Sequence, residues 1–152
     1  MAVWGIACRL EAEQAVVVAI EATGPRGALA GREAFRHRAN PDISWAEKLR
    51  ELAAHLDAAL QRDRPEAIVV RSMDWTKLRK EAVAKPRYQV EGVLLEVSAR
   101  LGVLVEVHSG LSIGKLLGTS KADAEAEAKA AFGSEIEAGA AAIAALHRIG
   151  QA

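Results

Sequence analysis

The chain has 152 residues, of which 51% are apolar and only 4% aromatic, and its 20 basic and 20 acidic side chains cancel. This length suits one domain, residues 1–152, with a single core built from Ala, Val, Leu and Ile. A neutral chain has no global field that draws it to nucleic acid or to a membrane, so any DNA-binding surface must be a local patch.

The cysteine content and the hydropathy pattern exclude several further classes. A single cysteine, Cys8, excludes an internal disulfide and a zinc site made of several thiolates. It lies in an apolar stretch, where we expect a buried, inert thiol. No stretch approaches the ~20 apolar residues of a membrane span, and the first residues lack the pattern of a signal peptide. These features predict a soluble cytoplasmic protein.

Three strands are predicted in the first part of the chain, over residues 3–10, 14–21 and 28–37. The short polar link at 11–13 favours an antiparallel hairpin between the first two strands. The charges of the third strand are typical of a sheet edge.

A helix and a fourth strand follow. Ser44 and Glu47 have the spacing of a capping box, which predicts a helix that ends at about Asp63. Its expected buried stripe is Trp45, Leu49, Leu52, Leu56 and Leu60. Residues 66–71 then predict a buried strand, and the polar stretch 72–86 receives no assignment.

Residues 85–108 predict a helix that leads directly into a fifth strand. Apolar residues at three- and four-residue spacings predict one buried face of the helix, formed by Val90, Val93, Leu94, Val97 and Leu101. Gly102 is expected to end the helix. Residues 103–107 are nearly all apolar, which is typical of a strand covered on both faces. His108 follows at the strand end, where open α/β sheets place their sites.

Three further helices are predicted, over 111–117, 120–131 and 134–148. Capping boxes are expected from Ser120 with Asp123 and from Ser134 with Glu137. The last helix is expected to bury Ile136, Ala140, Ile143 and His147. The complete order predicts an α/β fold with a mixed sheet, in which an antiparallel three-strand meander and two parallel strands are flanked by helices.

Several landmarks in this order resemble the RuvC family of Holliday-junction resolvases, which has the ribonuclease-H-like fold. Residues 3–9, VWGIACR, resemble the family's opening strand, and residues 64–72, RPEAIVVRS, resemble its fourth strand. Residues 89–108 are similar to its central helix and fifth strand, with Gly92 at the family's glycine. Residues 116–133 and 134–147 resemble its last two helices. The likeness is collinear over nearly the whole chain.

The resemblance implies hydrolysis of phosphodiesters by two Mg²⁺ ions that four carboxylates hold. Carried over one at a time, the four positions fall on Ala7, Arg71, Glu137 and Ala140. A shift of one residue in the last helix would give Ala138 and Ala141 instead. The resemblance therefore implies a RuvC homologue that has lost its metal ligands and uses no cofactor, with Mg²⁺ required only if the ligands lie elsewhere.

The basic residues of the family are also replaced. One family lysine falls on Ile113, with Lys115 two positions further on, and a second falls on Ala124. A separate basic stretch runs from Arg71 to Arg87, and its aromatic residue Trp75 could stack on bases. The predicted DNA-binding residues are Arg71, Trp75, Lys77, Arg79, Lys80, Lys85, Arg87, Lys115 and Lys121.

Purely structural roles for the same residues remain open as alternatives. The basic stretch is equally typical of a solvated charged surface, and Arg71 could pair with Glu137 instead of a phosphate. Glu137 could be a capping residue instead of a metal ligand. The four histidines have no metal-binding spacing, although His108 could line the site.

Three functions follow from these observations. The first is a RuvC-like protein that binds branched or other DNA, such as four-way junctions, as a homodimer without cleaving it. The second is a protein-interaction or structural subunit that keeps only the fold. The third is an active Mg²⁺-dependent junction endonuclease whose ligands lie at other positions.

Overall fold

A five-stranded mixed sheet lies at the centre of the computed structural model, which describes residues 1–11, 14–73 and 81–150. The strand order is β3-β2-β1-β4-β5. The strands are β1 (Val3–Glu11), β2 (Gln14–Thr23), β3 (Ala30–Arg38), β4 (Ala67–Arg71) and β5 (Leu104–His108).

The pairing of these strands confirms the predicted mixed sheet. β1 pairs with β2 and β2 with β3 in antiparallel fashion, whereas β4 runs parallel to β1 and to β5. In this register Ala7 lies opposite Arg71, and Arg71 lies opposite His108. Ala7, Arg71 and His108, which the sequence analysis singled out as candidate site positions, are therefore neighbours.

Five helices cover the sheet: α1 (Trp45–Asp63), α2 (Glu81–Arg100), α3 (Gly110–Leu116), α4 (Lys121–Phe132) and α5 (Ile136–Arg148). Ser44 caps α1 in a complete capping box, and the Ser120 side chain caps α4. The helix α2 begins at Glu81 and contains Pro86, so it starts before the predicted residue 85. Among the described residues, no helix is both long and apolar enough to cross a membrane.

Two apolar clusters fill the two sides of the sheet. Because successive side chains of a strand point to opposite faces, Trp4 and Ile6 pack with α1 and α2 while Val3 and Ala7 pack with α5. Few aromatic residues contribute, as the composition predicted. The candidate site positions Ala7 and Arg71 thus lie on the face of the sheet that α5 covers.

The helix α5 packs closely against the sheet, and its buried surface is more extensive than the predicted single stripe. Every residue from Ala138 to Leu146 is buried. The small alanine side chains of α5 permit this close approach. Gly5 of β1 contributes to it as well, because it has no side chain. A Cβ atom at Gly5 would lie 2.7 Å from the carbonyl carbon of Ala141.

Two local predictions were wrong. Ser134 and Glu137 do not form a capping box: the residue before α5 is Glu135, with a left-handed φ of 53° and no side-chain capping bond. Its carboxylate instead accepts bonds from Arg9 at 2.6 Å and Arg36 at 2.7 Å. The strand β5 is not covered on both faces, because it is the last strand of the sheet and Leu104 is 52% exposed.

Candidate functional site

The candidate site lies where β1, β4 and β5 approach their carboxyl ends. The parallel register brings Ala7, Arg71 and His108 side by side on adjacent strands. Ala7 is buried and has only a methyl group to offer. Ala7, where the resemblance predicts the first ligand, therefore supplies no oxygen atom.

Arg71 fills the centre of this site. It is 1% exposed, although it is a charged residue at a strand end. Its Nη1 donates to the carbonyl oxygen of Ser72, and its Nη2 lies 3.7 Å from Glu125 and 3.8 Å from Glu137. A Cβ atom at Gly110 would lie 2.8 Å from the guanidinium carbon. The guanidinium is thus enclosed by the start of α3 and by acidic side chains of α4 and α5.

The two carboxylates identify what Arg71 does in the folded protein. Of the two roles considered for it, pairing with Glu137 is the one that the geometry shows. Glu125 is a second partner, which the sequence analysis did not single out. The sequence feature that could have identified Glu125 is its position four residues after Lys121, with which it also pairs at 3.8 Å.

The residues present do not fit two Mg²⁺ ions. Hard cations of this kind need several oxygen ligands. The buried guanidinium brings a fixed positive charge to the position where the resemblance predicts a ligand, and Glu125 and Glu137 pair with that charge. Ala140 is buried and offers no ligand. Across the described ranges, no group of three or more His, Cys, Asp or Glu side chains is arranged to hold a metal ion.

Arg87 lies beneath the same strand ends, on the other side of the sheet. Sequence reasoning placed it on a basic surface, whereas it is only 3% exposed. Its Nη1 donates to the carbonyl oxygen of Cys8, its Nη2 donates to that of Arg71 at 2.9 Å, and its Nε donates to Glu91 at 3.2 Å. Buried carbonyls at strand ends need donors, and Arg87 supplies two of them. It therefore joins α2 to β1 and β4.

Glu91 completes this buried pair. Burial raises the pKa of Glu91, while Arg87 and the backbone of Met73 act in the opposite direction. Nearby Cys8 is buried as predicted, and burial raises its pKa to about 11. The thiol is therefore protonated and unreactive at neutral pH.

Replacing Arg87 with Met is expected to lower the free energy of unfolding by about 3–5 kcal/mol, because Glu91 would remain as an unpaired buried charge. Adding Glu91→Leu should restore part of this loss by removing that charge. Urea unfolding measures both effects. The matched control is Arg100→Met on the same helix, where the half-exposed Arg100 pairs with Glu96 four residues earlier and with Asp57 of α1. We expect little change there. An equally small loss for Arg87→Met would contradict this account of the pair.

Among the predicted DNA-binding residues, Arg71 and Lys121 lie close together, because both pair with Glu125. Lys85 and Lys115 are exposed, and the Lys121 side chain is 30% exposed beside Glu125. Arg71 and Arg87 are both interior, so neither presents its charge at the surface. The other predicted residues lie outside the part of the chain that the structure describes: Trp75, Lys77, Arg79 and Lys80.

A second charged group borders the site on β5. His108 Nε2 lies 2.8 Å from Glu106, and Glu106 also accepts a hydrogen bond from Arg148 at 2.5 Å. Arg148, and then His108, hold the pKa of Glu106 below its usual value. His108 does line this edge, as the sequence suggested, and its described partner is a carboxylate.

Comparison with known proteins gives a structural likeness. Neither a protein-family model nor a curated protein sequence matches the chain. RuvC of Thermus thermophilus is similar in structure, with a TM-score of 0.72 and 20% identity over 99% of this chain and 98% of that chain. The same protein in complex with a Holliday junction substrate gives a TM-score of 0.70, with the same identity and coverage.

A second resolvase is also similar in structure, at a lower TM-score. The yeast mitochondrial Holliday junction resolvase Ydc2 has a TM-score of 0.52 and 12% identity, over 94% of this chain and 75% of that chain. A mixed five-stranded sheet flanked by helices is consistent with these neighbours. The chain therefore has the RuvC-like form of the ribonuclease-H-like fold that its sequence predicted.

Proposed function

We propose that this protein binds branched DNA, including four-way junctions, as a homodimer and does not cleave it. The observation that carries the proposal is the buried Arg71 guanidinium between Glu125 and Glu137. It lies where the family resemblance requires a metal-binding carboxylate. A cation fixed by two carboxylates competes with Mg²⁺ for the same place and the same ligands.

The DNA-binding part of the proposal has two supports. The chain shares its fold, over nearly its full length, with a RuvC that was solved with a Holliday junction substrate. Lys85 and Lys115 are exposed. The basic stretch that begins after β4 adds Lys77, Arg79 and Lys80 in sequence. A local cluster of this kind can contact phosphates although the whole chain is neutral.

Junction binding over a salt series tests the proposal. We expect a labelled four-way junction to bind more tightly than a duplex of the same length, with an affinity that falls as salt rises. Replacing Lys77, Arg79 and Lys80 together with Ala should weaken binding and reduce the salt slope by roughly 3, since each phosphate contact contributes about 0.9. Fluorescence anisotropy measures both quantities, and light scattering measures the homodimer.

The control variant carries the same charge change elsewhere. Lys48, Arg50 and Arg62 lie on α1, which covers the opposite face of the sheet from Arg71. Their replacement with Ala should leave the salt slope unchanged. Absence of junction binding at low salt would refute the proposal, and equal effects of the two triple variants would refute its location.

A protein-interaction or structural subunit is the second candidate, and the surface charges favour it. Several arginines of the described surface are engaged with carboxylates: Arg9, Arg26, Arg36 and Arg148. Pairing of this kind reduces the positive potential available to DNA. A protein that forms the expected dimer but binds no junction at low salt would support this candidate.

The active nuclease is tested in the same reactions. We expect Mg²⁺ and Mn²⁺ to produce no cleavage of bound junctions, because Ala7 and Ala140 offer no ligand. Cleavage that depends on added metal and is lost in chelator would overturn the proposed inactivity while leaving DNA binding intact.

A further inference from the structure

Two histidines connect the edge strand β3 to α1. His37 Nδ1 lies 2.8 Å from His55 Nδ1, and the two rings meet edge to face with their centroids 4.9 Å apart. His37 is 4% exposed, and its Nε2 is buried with no hydrogen-bond partner among the described residues. His55 is exposed on the helix. The pair is therefore half inside and half outside the fold.

Apolar groups surround the buried ring. Phe35 stacks on His37 with the ring planes 5° apart, and Val17 is its neighbour in the β2 register. The charged group that faces His37 from α1, besides His55, is Glu51. No other charged neighbour on β2 or α1 is found for it in the part of the chain that the structure describes.

The arginines on either side of His37 in β3 belong to other networks. Arg36 bonds to Glu33 and Glu135, and Arg38 donates to Gln14. The protonation of His37 is thus governed by its burial, by His55 and by the weaker attraction of Glu51.

Proton counting shows why this pair is sensitive to pH. In the neutral pair one Nδ1 donates its proton and the other accepts it. One added proton still leaves an acceptor, because one of the two rings stays neutral. A second added proton gives both Nδ1 atoms a hydrogen and both rings a charge, so the contact at 2.8 Å becomes repulsive.

We propose that the His37–His55 pair is a pH-sensitive latch that holds α1 against β3 and releases it on acidification. The release is local because β3 is an edge strand. Besides the histidine pair, Arg62 donates to the carbonyl oxygen of Ala34 at 3.4 Å, and Arg32 of β3 lies 3.9 Å from Asp63 at the end of α1. The latch is independent of DNA binding and of the Arg71 site.

The direction follows from the pKa of His37. Burial, and then the charge of His55, lower this pKa below its ordinary value of 6.5. The open state therefore binds more protons than the closed state below pH 6.5. The stabilisation of the closed state is present above pH 6.5 and is lost as pH falls toward the depressed value, by up to about tenfold in the closing constant per pH unit.

Amide hydrogen exchange of the full chain tests the latch at pH 7.5, 6.5 and 5.5, after correction for the intrinsic exchange rate. We expect amides of β3 and of the middle of α1 to lose several-fold protection at pH 5.5, while amides of β1 and β4 keep theirs. His55→Asn places an amide near the Nδ1 position without a titrating group, and should remove the pH dependence. His37→Phe, which fills the apolar site, should do the same.

Three outcomes would overturn the latch. One is protection of β3 and α1 that does not change with pH in the unmodified protein. Another is the same pH dependence in both His55→Asn and His37→Phe. The third is a loss of protection that spreads equally to β1 and β4, because global acid unfolding would then be the cause.

Discussion

Joint replacement of Ala7 with Asp and Arg71 with Glu is expected to make the stability of this protein depend on divalent metal. The two positions are register partners on adjacent parallel strands, so their new carboxylates would lie side by side. Glu137 and Glu125 already border the place that Arg71 now fills. The variant would thus gather four carboxylates where the protein has two and a guanidinium.

The expected size of this effect follows from two opposing changes. Without metal, the loss of the buried cation leaves unpaired acids, which should lower the free energy of unfolding by about 3–5 kcal/mol. A bound metal at a hundred times its Kd should return about 2.7 kcal/mol. The measurement is urea unfolding in chelator, in Mg²⁺ and in Mn²⁺, for the variant and for the unmodified protein.

The control replaces Ala7 with Asn and Arg71 with Gln, which changes the shapes similarly without adding carboxylates. It should lose stability and gain nothing from metal. If Mn²⁺ stabilises the unmodified protein as strongly as the variant, the guanidinium does not take the place of a metal. A variant that is indifferent to metal would show instead that the strand ends do not bring these side chains together.

Replacing Gly5 with Ala is expected to be the most destabilising single methyl addition in the core. The new Cβ would lie 2.7 Å from the Ala141 carbonyl carbon and closer still to Ala138 and Ala142 backbone atoms, whereas real Cβ atoms essentially never approach within 3.0 Å. The backbone of a buried helix cannot rotate away as a side chain can. We expect α5 to be displaced, at a cost of about 3–5 kcal/mol.

Gly92→Ala is the matched control for this change. A Cβ there meets nothing within 4 Å, and the residue lies inside α2. Alanine should stabilise this helix by roughly 0.5–1 kcal/mol, because it reduces the freedom of the unfolded chain. Urea unfolding of both variants separates a contact effect from a propensity effect. A loss below about 1 kcal/mol for Gly5→Ala would mean that α5 can move away from the sheet at little cost.

Displacement of α5 would also reach the candidate site. Glu137 lies in the first turn of α5 and pairs with Arg71. Glu135, just before the helix, joins Arg9 of β1 to Arg36 of β3. The close contact at Gly5 thus helps to place the carboxylates that neutralise Arg71.

The sequence alone determined the order and type of the helices and strands, because these depend on periodicities within a few residues. The short polar link at 11–13, the capping box at Ser44 and the spacing of Val90, Leu94 and Val97 are all local signals. The resemblance also predicted that Ala7 and Arg71 occupy positions where the family has carboxylates, since this prediction needs only a register. The residues that surround those positions in the fold could not be predicted from the sequence.

Only the tertiary structure decided where the charges lie. Arg71 and Arg87 look alike in the sequence as members of one basic stretch, yet both are buried, on opposite faces of the sheet. Their partners are remote: Glu125 for one, and the carbonyl of Cys8 for the other. The His37–His55 pair depends in the same way on how α1 packs against β3. A charged side chain is buried only when donors and acceptors from distant segments meet around it, and local sequence carries no signal for that meeting.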